Sequence, residues 1–365
     1  MTPLWTSNEV INVIKGTASG QKFWEANGVS IDSRTLMPGN IFIAIDGEKN
    51  DGHYYVKEAF AKGASAVVVS KKIDSIKNKN CVFVEDTVSS LKELAKYSRS
   101  RSKAKIIAIT GSVGKTSTKE ILRSALSEQF LVYANEGNLN NQIGVPLSLA
   151  RMPAKTDFAI LELGMNKAGE ISELTKLVKP NYALITSIEE VHLEFFKSID
   201  GIADAKAEIF EGVQAGGVVI LNRDSNFFSK LSKKARNHDL NIISFGSNNS
   251  ANVKLVSYVL HEKCSCIKSD INGKQMVVKV GVPGFHVINN CLSVLAIVQA
   301  IGGDVSLAGI SFSKMQLPEG RGNRLKLFTG DGEVELIDES YNASPVSMKA
   351  ALRLLGQSKI KNNGR

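Results

Sequence analysis

The residues best equipped for chemistry form one short run, Thr110-Gly111-Ser112-Val113-Gly114-Lys115-Thr116-Ser117, between the apolar stretch 105–110 and a helical pattern starting near Thr118. Glycines let backbone amides curl round phosphate oxygens, and a helix N-terminus adds partial positive charge. Lys115 has the reach for β/γ-phosphates, and Thr116 offers a hydroxyl to Mg²⁺. The general phosphate loop has four residues between its glycines, whereas here Gly111 and Gly114 enclose only Ser112 and Val113. A chance Gly-Lys-Thr turn is the alternative, and the strand–loop–helix setting argues against it. Glu162 ends the apolar run 158–161, the mouth of a parallel strand, where α/β proteins gather ligands. A carboxylate there is a natural Mg²⁺ ligand, the plainer reading being a surface loop acid. His192 follows another such run, although a lone His is more often structural. Lys206, in Ala205-Lys206-Ala207-Glu208, reads by itself as a solvated helix lysine.

The elements that would hold these residues follow from the apolar pattern. An amphipathic stretch (8–15), a strand (41–45), a helix (54–62) closed by Gly63, two strands (66–69 and 81–84) and a helix (90–100) form a small α/β domain over 1–103. The polar run 98–103 is its boundary. A short apolar run at 105–110 and fully apolar runs at 158–161, 182–185 and 217–221, separated by helical patterns, predict a mostly parallel sheet covered on both faces. Residues 251–282 read as an antiparallel extension and 287–301 as a helix, closing a domain over 104–312. Residues 313–365 hold two strand-like runs (324–328 and 333–337) and a helix (347–355). That is thin for an independent core, so this third domain is expected to be cut short.

With 365 residues, the chain suits two or three domains, and its 43% hydrophobic and 22% charged residues fit a soluble globular protein. No apolar run spans a bilayer and no signal-peptide pattern opens the chain, so cytoplasmic location without membrane insertion is expected. Cys81, Cys264, Cys266 and Cys291 lack zinc spacing and read as reduced thiols. The net charge of +9 is spread along the chain, suiting small polyanions and arguing against a nucleic-acid partner.

The shortened loop is similar to the ATP loop of the Mur ligases and the related folylpolyglutamate synthases. The run 135–146 (Asn-Glu-Gly-Asn-Leu-Asn-Asn-Gln-Ile-Gly-Val-Pro), the acidic run 162–171 and Ser340-Tyr341-Asn342-Ala343-Ser344-Pro345 resemble the branch that adds D-alanyl-D-alanine. Asp32-Ser33-Arg34, Gly47-Glu48 and Asp51-Gly52-His53 resemble that branch's UDP-sugar domain. The chain is identified on these residues as a member of the Mur ligase family. The resemblance implies a three-domain α/β architecture: a UDP-sugar domain, a central P-loop-type domain with a mostly parallel sheet, and an incomplete Rossmann-like C-terminal domain.

It also implies roles. Gly111 to Ser117 would bind ATP, with Thr116, Glu162, His192 and Lys206 holding Mg²⁺, and Lys115, Glu162, His192 and Lys206 serving catalysis. Lys206 would be the position that can carry a carbamate, whose two oxygens suit a metal. Asn290 falls in the family's adenine-recognition segment; Val287 replaces its first Asn, with Asn289 a substitute. Arg321 and Arg324 would meet ATP phosphates, and Asp338 or Glu339 the nucleotide. Ser33, Arg34, Asn138, Asn140 and Asn141 would face the UDP-muramoyl-peptide. The implied reaction, by a monomer, ligates D-alanyl-D-alanine to UDP-N-acetylmuramoyl-tripeptide through an acyl phosphate. A nucleotide- and substrate-binding but catalytically incomplete fragment, or another amide ligase of the family, is the alternative.

Overall fold

The structure, a computed structural model, describes residues 2–47, 50–73, 78–190, 195–316, 320–330, 332–341 and 344–357. They divide into two compact units, one of residues 1–104 with 133–161, the other of 105–132 with 162–365.

The elements before the phosphate loop are β1 (Trp5–Thr6), α1 (Ser7–Ile14), β2 (Thr17–Ser19), β3 (Glu25–Ala26), β4 (Gly28–Ser30), β5 (Asn40–Ile43), α2 (Val56–Ala61), β6 (Ala66–Val69), β7 (Cys81–Phe83) and α3 (Thr87–Arg101). Local chemistry sets their ends. Thr6 and Glu9 form a reciprocal capping box that starts α1. Asp86 accepts from the amides of Val88 and Ser89 to start α3. The 54–62 pattern is split: a 3₁₀ turn, Gly52–Tyr55, precedes α2. Five strands pair in the order β2-β7-β6-β5-β4, parallel except for the β2 edge. Successive side chains face opposite ways, so Ile41 and Ile43 join Trp5, Val68, Leu91, Leu94 and Leu147 in one buried cluster. Phe42, Val67 and Val69 join Val56 and Ala59 on the other face. Each fully buried Leu or Ile there contributes roughly 1.5–3 kcal/mol.

The chain continues with β8 (Lys105–Thr110), α4 (Lys115–Ser127), β9 (Val132–Ala134), α5 (Gly144–Arg151), β10 (Phe158–Glu162), α6 (Glu170–Val178), β11 (Tyr182–Ile185), α7 (Ile199–Ala207), β12 (Val218–Asn222), α8 (Phe228–Asn237) and β13 (Asn241–Gly246). Then follow β14 (Val253–Leu260), β15 (Ser265–Ile271), β16 (Lys274–Val280), α9 (Phe285–Ala300), α10 (Val305–Phe312), β17 (Asn323–Thr329), β18 (Gly332–Asp338) and α11 (Pro345–Gln357). In the second unit β8, β11, β12, β13 and β14 run parallel, and β15 and β16 add the expected antiparallel extension. The large, mostly parallel sheet thus agrees with the sequence reading. Helix α9 is buried on nearly every side, Val287 to Val298 carrying most of that burial.

Two further features depart from the expectations. The short strands β1 to β4 and β9 are too brief for any periodicity to register. Helix α4 starts at Lys115, three residues before the expected Thr118, because Gly114 at φ 85° turns the chain straight into the helix. Among the described residues no helix is long and apolar enough to cross a membrane. All four cysteines are free thiols.

Candidate functional site

At the C-terminal ends of β8 and β11, Ile185 lies opposite Thr110, and both chains leave the sheet side by side. They are then laced together. The Thr186 amide donates to the Thr110 carbonyl at 2.9 Å and the Ser112 amide to the Ser187 carbonyl at 2.9 Å. The Val113 amide donates to Ser187 Oγ at 3.2 Å, and Thr186 Oγ1 donates to the Val113 carbonyl at 2.6 Å. Ser112 Oγ donates to the Glu189 carbonyl at 3.1 Å and accepts from the Glu189 amide at 2.9 Å. The amides of Ser112 and Val113 are therefore occupied. Among the described residues, those of Gly114, Lys115, Thr116 and Ser117 make no hydrogen bond, leaving an open row of donors at the N-terminus of α4. Such a row is a ready anion site. The Lys115 amine folds back over the loop onto the Gly111 carbonyl at 2.9 Å. Burial lowers its pKa, and the nearby Glu162 carboxylate opposes that shift.

Glu162 is 2% exposed and accepts from Thr116 Oγ1 at 2.9 Å. It is placed by its neighbour: the Leu163 amide donates to the Ile109 carbonyl and Thr110 Oγ1 to the Leu163 carbonyl. Arg321 donates from Nη2 to Thr116 Oγ1 at 3.2 Å and stacks 4.4 Å over the Tyr341 ring. Thr116 thus joins a carboxylate and a guanidinium beside the open amides. Lys206, on α7, is 3% exposed, so the solvated reading does not hold. Burial, with the charge of Lys115, pushes its amine well below the ordinary lysine pKa. His192 lies outside the described residues.

These donors fit Mg²⁺. A hydroxyl and a carboxylate are hard oxygen ligands, and Mg²⁺ takes one or two carboxylates while phosphates and water complete its shell. Among the described residues no three His, Cys, Asp or Glu side chains cluster as a metal cage.

Asn290 abuts the loop: a Cβ on Gly114 would lie 3.0 Å from its Oδ1. Asn289 has a buried carboxamide oxygen with no partner among the described residues. Glu339 lies in the field of Arg321, while Asp338 is taken up by the Ser340 amide. Arg324 pairs with Glu335 across the β17–β18 hairpin. In the first unit Ser33 is held, its hydroxyl on Glu58 at 3.1 Å and its carbonyl taking the Lys62 amine at 2.8 Å. Arg34 stands exposed, forked on Asp32. Asn138 is exposed, and its carbonyl accepts from the Asn140 amide. Asn141 Oδ1 accepts from the amides of Ile143 and Gly144 at the start of α5, so its oxygen is committed to the fold.

Residues 109–298 match the Mur ligase middle domain, and residues 25–99 match the family described as "Mur ligase family, catalytic domain". A UDP-N-acetylmuramoyl-tripeptide–D-alanyl-D-alanine ligase of Rickettsia prowazekii is 40% identical over 91% of this chain and 73% of that one. This chain is a Mur ligase. The Bacillus subtilis ligase of the same name is 33% identical over 96% of this chain and 75% of its own length. The crystal structure of MurF from Acinetobacter baumannii superposes with a TM-score of 0.86 at 30% identity, covering 97% of this chain and 77% of that one. MurF ligase from Thermotoga maritima in complex with ADP gives 0.75 at 25% identity, covering 90% and 74%.

Sequence reasoning about this Mur ligase passed over Thr186, Ser187 and Tyr341 as side chains with work at the loop. The first two had a usable signal, since they leave a buried strand at its C-terminal end just as Glu162 does. Tyr341 stood within the Ser-Tyr-Asn-Ala run that carries the resemblance, but an aromatic in a loop does not disclose which cation it stacks on.

Proposed function

We propose that this Mur ligase joins the amine of D-alanyl-D-alanine to the terminal carboxylate of UDP-N-acetylmuramoyl-tripeptide, a ligation that forms a C–N bond and consumes ATP. The observation that carries the reading is the meeting of Lys115, Thr116 and Glu162 at the open amides of Gly114 to Ser117. ATP bound there passes its γ-phosphoryl group to the carboxylate, leaving ADP and an acyl phosphate, and the amine then attacks the acyl carbon, loses a proton and expels phosphate to form the amide. The amides and the Lys115 ammonium hold the charge of the phosphates, and Arg321 stands by to share it. Thr116 and Glu162 provide the oxygens that hold Mg²⁺. Lys206, whose buried amine is poor at carrying charge, adds a second pair of oxygens once it takes up CO₂ as a carbamate. His192 is assigned to the same metal on the family resemblance alone.

Asn290, with Asn289, reads the adenine edge, an amide being both donor and acceptor. Ser33, Arg34, Asn138, Asn140 and Asn141 receive the UDP-sugar and its peptide, Arg34 offering its fork to phosphate and Asn141 its amide nitrogen, its oxygen being held at the start of α5. In this reading residues 1–103 are the UDP-sugar domain, 104–312 the nucleotide domain, and 313–365 belong to the domain that receives the amine. Phosphate release measured with ATP, Mg²⁺ and UDP-muramoyl-tripeptide tests the reaction. Release that requires D-alanyl-D-alanine is expected, and ATP binding without dipeptide-dependent turnover would overturn it.

A further inference from the structure

The phosphate loop of this chain is two residues shorter than the general pattern, and its shape is imposed from outside. We propose that Thr186, assisted by Ser187, is the positioning residue that orients the loop's peptide planes toward the nucleotide. The proposal rests on the ATP reading above.

The argument is one of peptide geometry. In a trans peptide the carbonyl and the following N–H point in opposite directions. Thr186 Oγ1 holds the Val113 carbonyl at 2.6 Å, so the Gly114 N–H, on the same peptide, is turned to the opposite side, among the open amides. The Ser187 carbonyl takes the Ser112 amide, so the Gly111 carbonyl points the other way, where it receives the Lys115 amine at 2.9 Å. Ser187 Oγ takes the Val113 amide, which turns the Ser112 carbonyl to within 3.5 Å of the same amine. Three consecutive peptides are thus set by two side-by-side residues. They fix one amide donor and the resting place of the ammonium.

Gly111 confirms how tightly Thr186 is seated. A Cβ there would come 1.9 Å from Thr186 Oγ1, and the backbone at φ 149° is foreign to other residues. The loop accepts a glycine at this point because the threonine hydroxyl fills the space where a side chain would begin. Neither Thr186 nor Ser187 presents its hydroxyl to the open amides, so each acts through the loop and contacts no reacting atom.

The test compares Thr186→Val, Thr186→Ser and Ser187→Ala with the parent by ATP calorimetry and by KM for each substrate, with Lys115→Met as control. Thr186→Val keeps the shape and removes the hydroxyl. It should weaken ATP about tenfold, the upper range for one lost hydrogen bond, with the KM for UDP-muramoyl-tripeptide unchanged. Thr186→Ser should stay within about twofold of the parent, and Ser187→Ala should lose about threefold. Parent-like ATP affinity in Thr186→Val or in Ser187→Ala overturns the proposal, as does an equal loss in Thr186→Ser. A rise in both KM values together marks a general structural effect and overturns it too. If Thr186→Val does not fold, Ser187→Ala decides alone. A parent that binds no ATP, or binds it equally well as Lys115→Met, brings down the ATP reading and this proposal with it.

Discussion

Thr116 Oγ1 donates to Glu162 Oε2 at 2.9 Å, joining the first turn of α4 to the end of β10. The same hydroxyl accepts from Arg321 at 3.2 Å. A divalent cation entering here would share that oxygen with the guanidinium, and repulsion between the two positive charges would favour Arg321 turning from Thr116 to phosphate. Replacing Glu162 by Gln keeps the shape and removes the charge. Turnover should fall by about 10²–10³ while the thermal midpoint moves little, and Thr116→Ser should keep most activity where Thr116→Val does not. Parallel steady-state kinetics and thermal melts check both.

Lys115 gives a prediction through ligand-linked stability. ATP at a hundred times its Kd should stabilise the parent by about 2.7 kcal/mol. If Lys115→Met weakens ATP about a hundredfold, the same concentration adds only about 0.4 kcal/mol. Melts with and without ATP and Mg²⁺ read this directly. An equal upward shift in the two proteins would exclude Lys115 from the phosphates.

Lys206 is a buried amine whose charge is disfavoured by its surroundings. Lys206→Met should therefore keep or slightly raise stability, since an apolar chain of similar length replaces a costly polar end. Turnover should be lost by at least about tenfold. Carbon-13 NMR in labelled bicarbonate with ATP and Mg²⁺ should show a carbamate resonance in the parent that is missing from the variant.

Asp51 predicts a pH dependence in the first unit. Burial raises its pKa, but bonds from Lys71 and from His53 outweigh burial and hold the carboxyl well below the usual range. A carboxylate depressed on folding contributes its stability above the unfolded pKa of about 3.9 and loses it as pH falls through the folded value. The parent should outlast Asp51→Asn in melts above about pH 5, the gap closing as pH falls below about 4. A gap independent of pH over that range would show that the charge is not the source.

Much of this molecule was legible from one-dimensional pattern. Runs such as 106–109 and 182–185 are apolar throughout because both faces of a parallel strand are covered, and they lie in β8 and β11 as read. The start of α4 was misread by three residues because helix propensity says nothing of the left-handed turn at Gly114 that opens it. The segment 133–161 groups with the first unit, Leu147 packing with Trp5 and Leu91 across a long stretch of chain. No local signal carries that pairing.

The sequence by itself determined the family, the alternation of buried strands and covering helices, and which side chains have the chemistry for phosphate and metal. These depend on residue type and short spacing, and both survive in an unfolded chain. Only the tertiary structure decided which of those groups are available. It placed Glu162 on Thr116, buried Lys206, committed Asn141 to a helix start, and spent the amides of Ser112 and Val113 on Ser187. A hydrogen-bond donor used once is not available again, and for Thr116, Ser112 and Val113 the partners, Glu162 and Ser187, stand far along the chain, where spacing cannot report them.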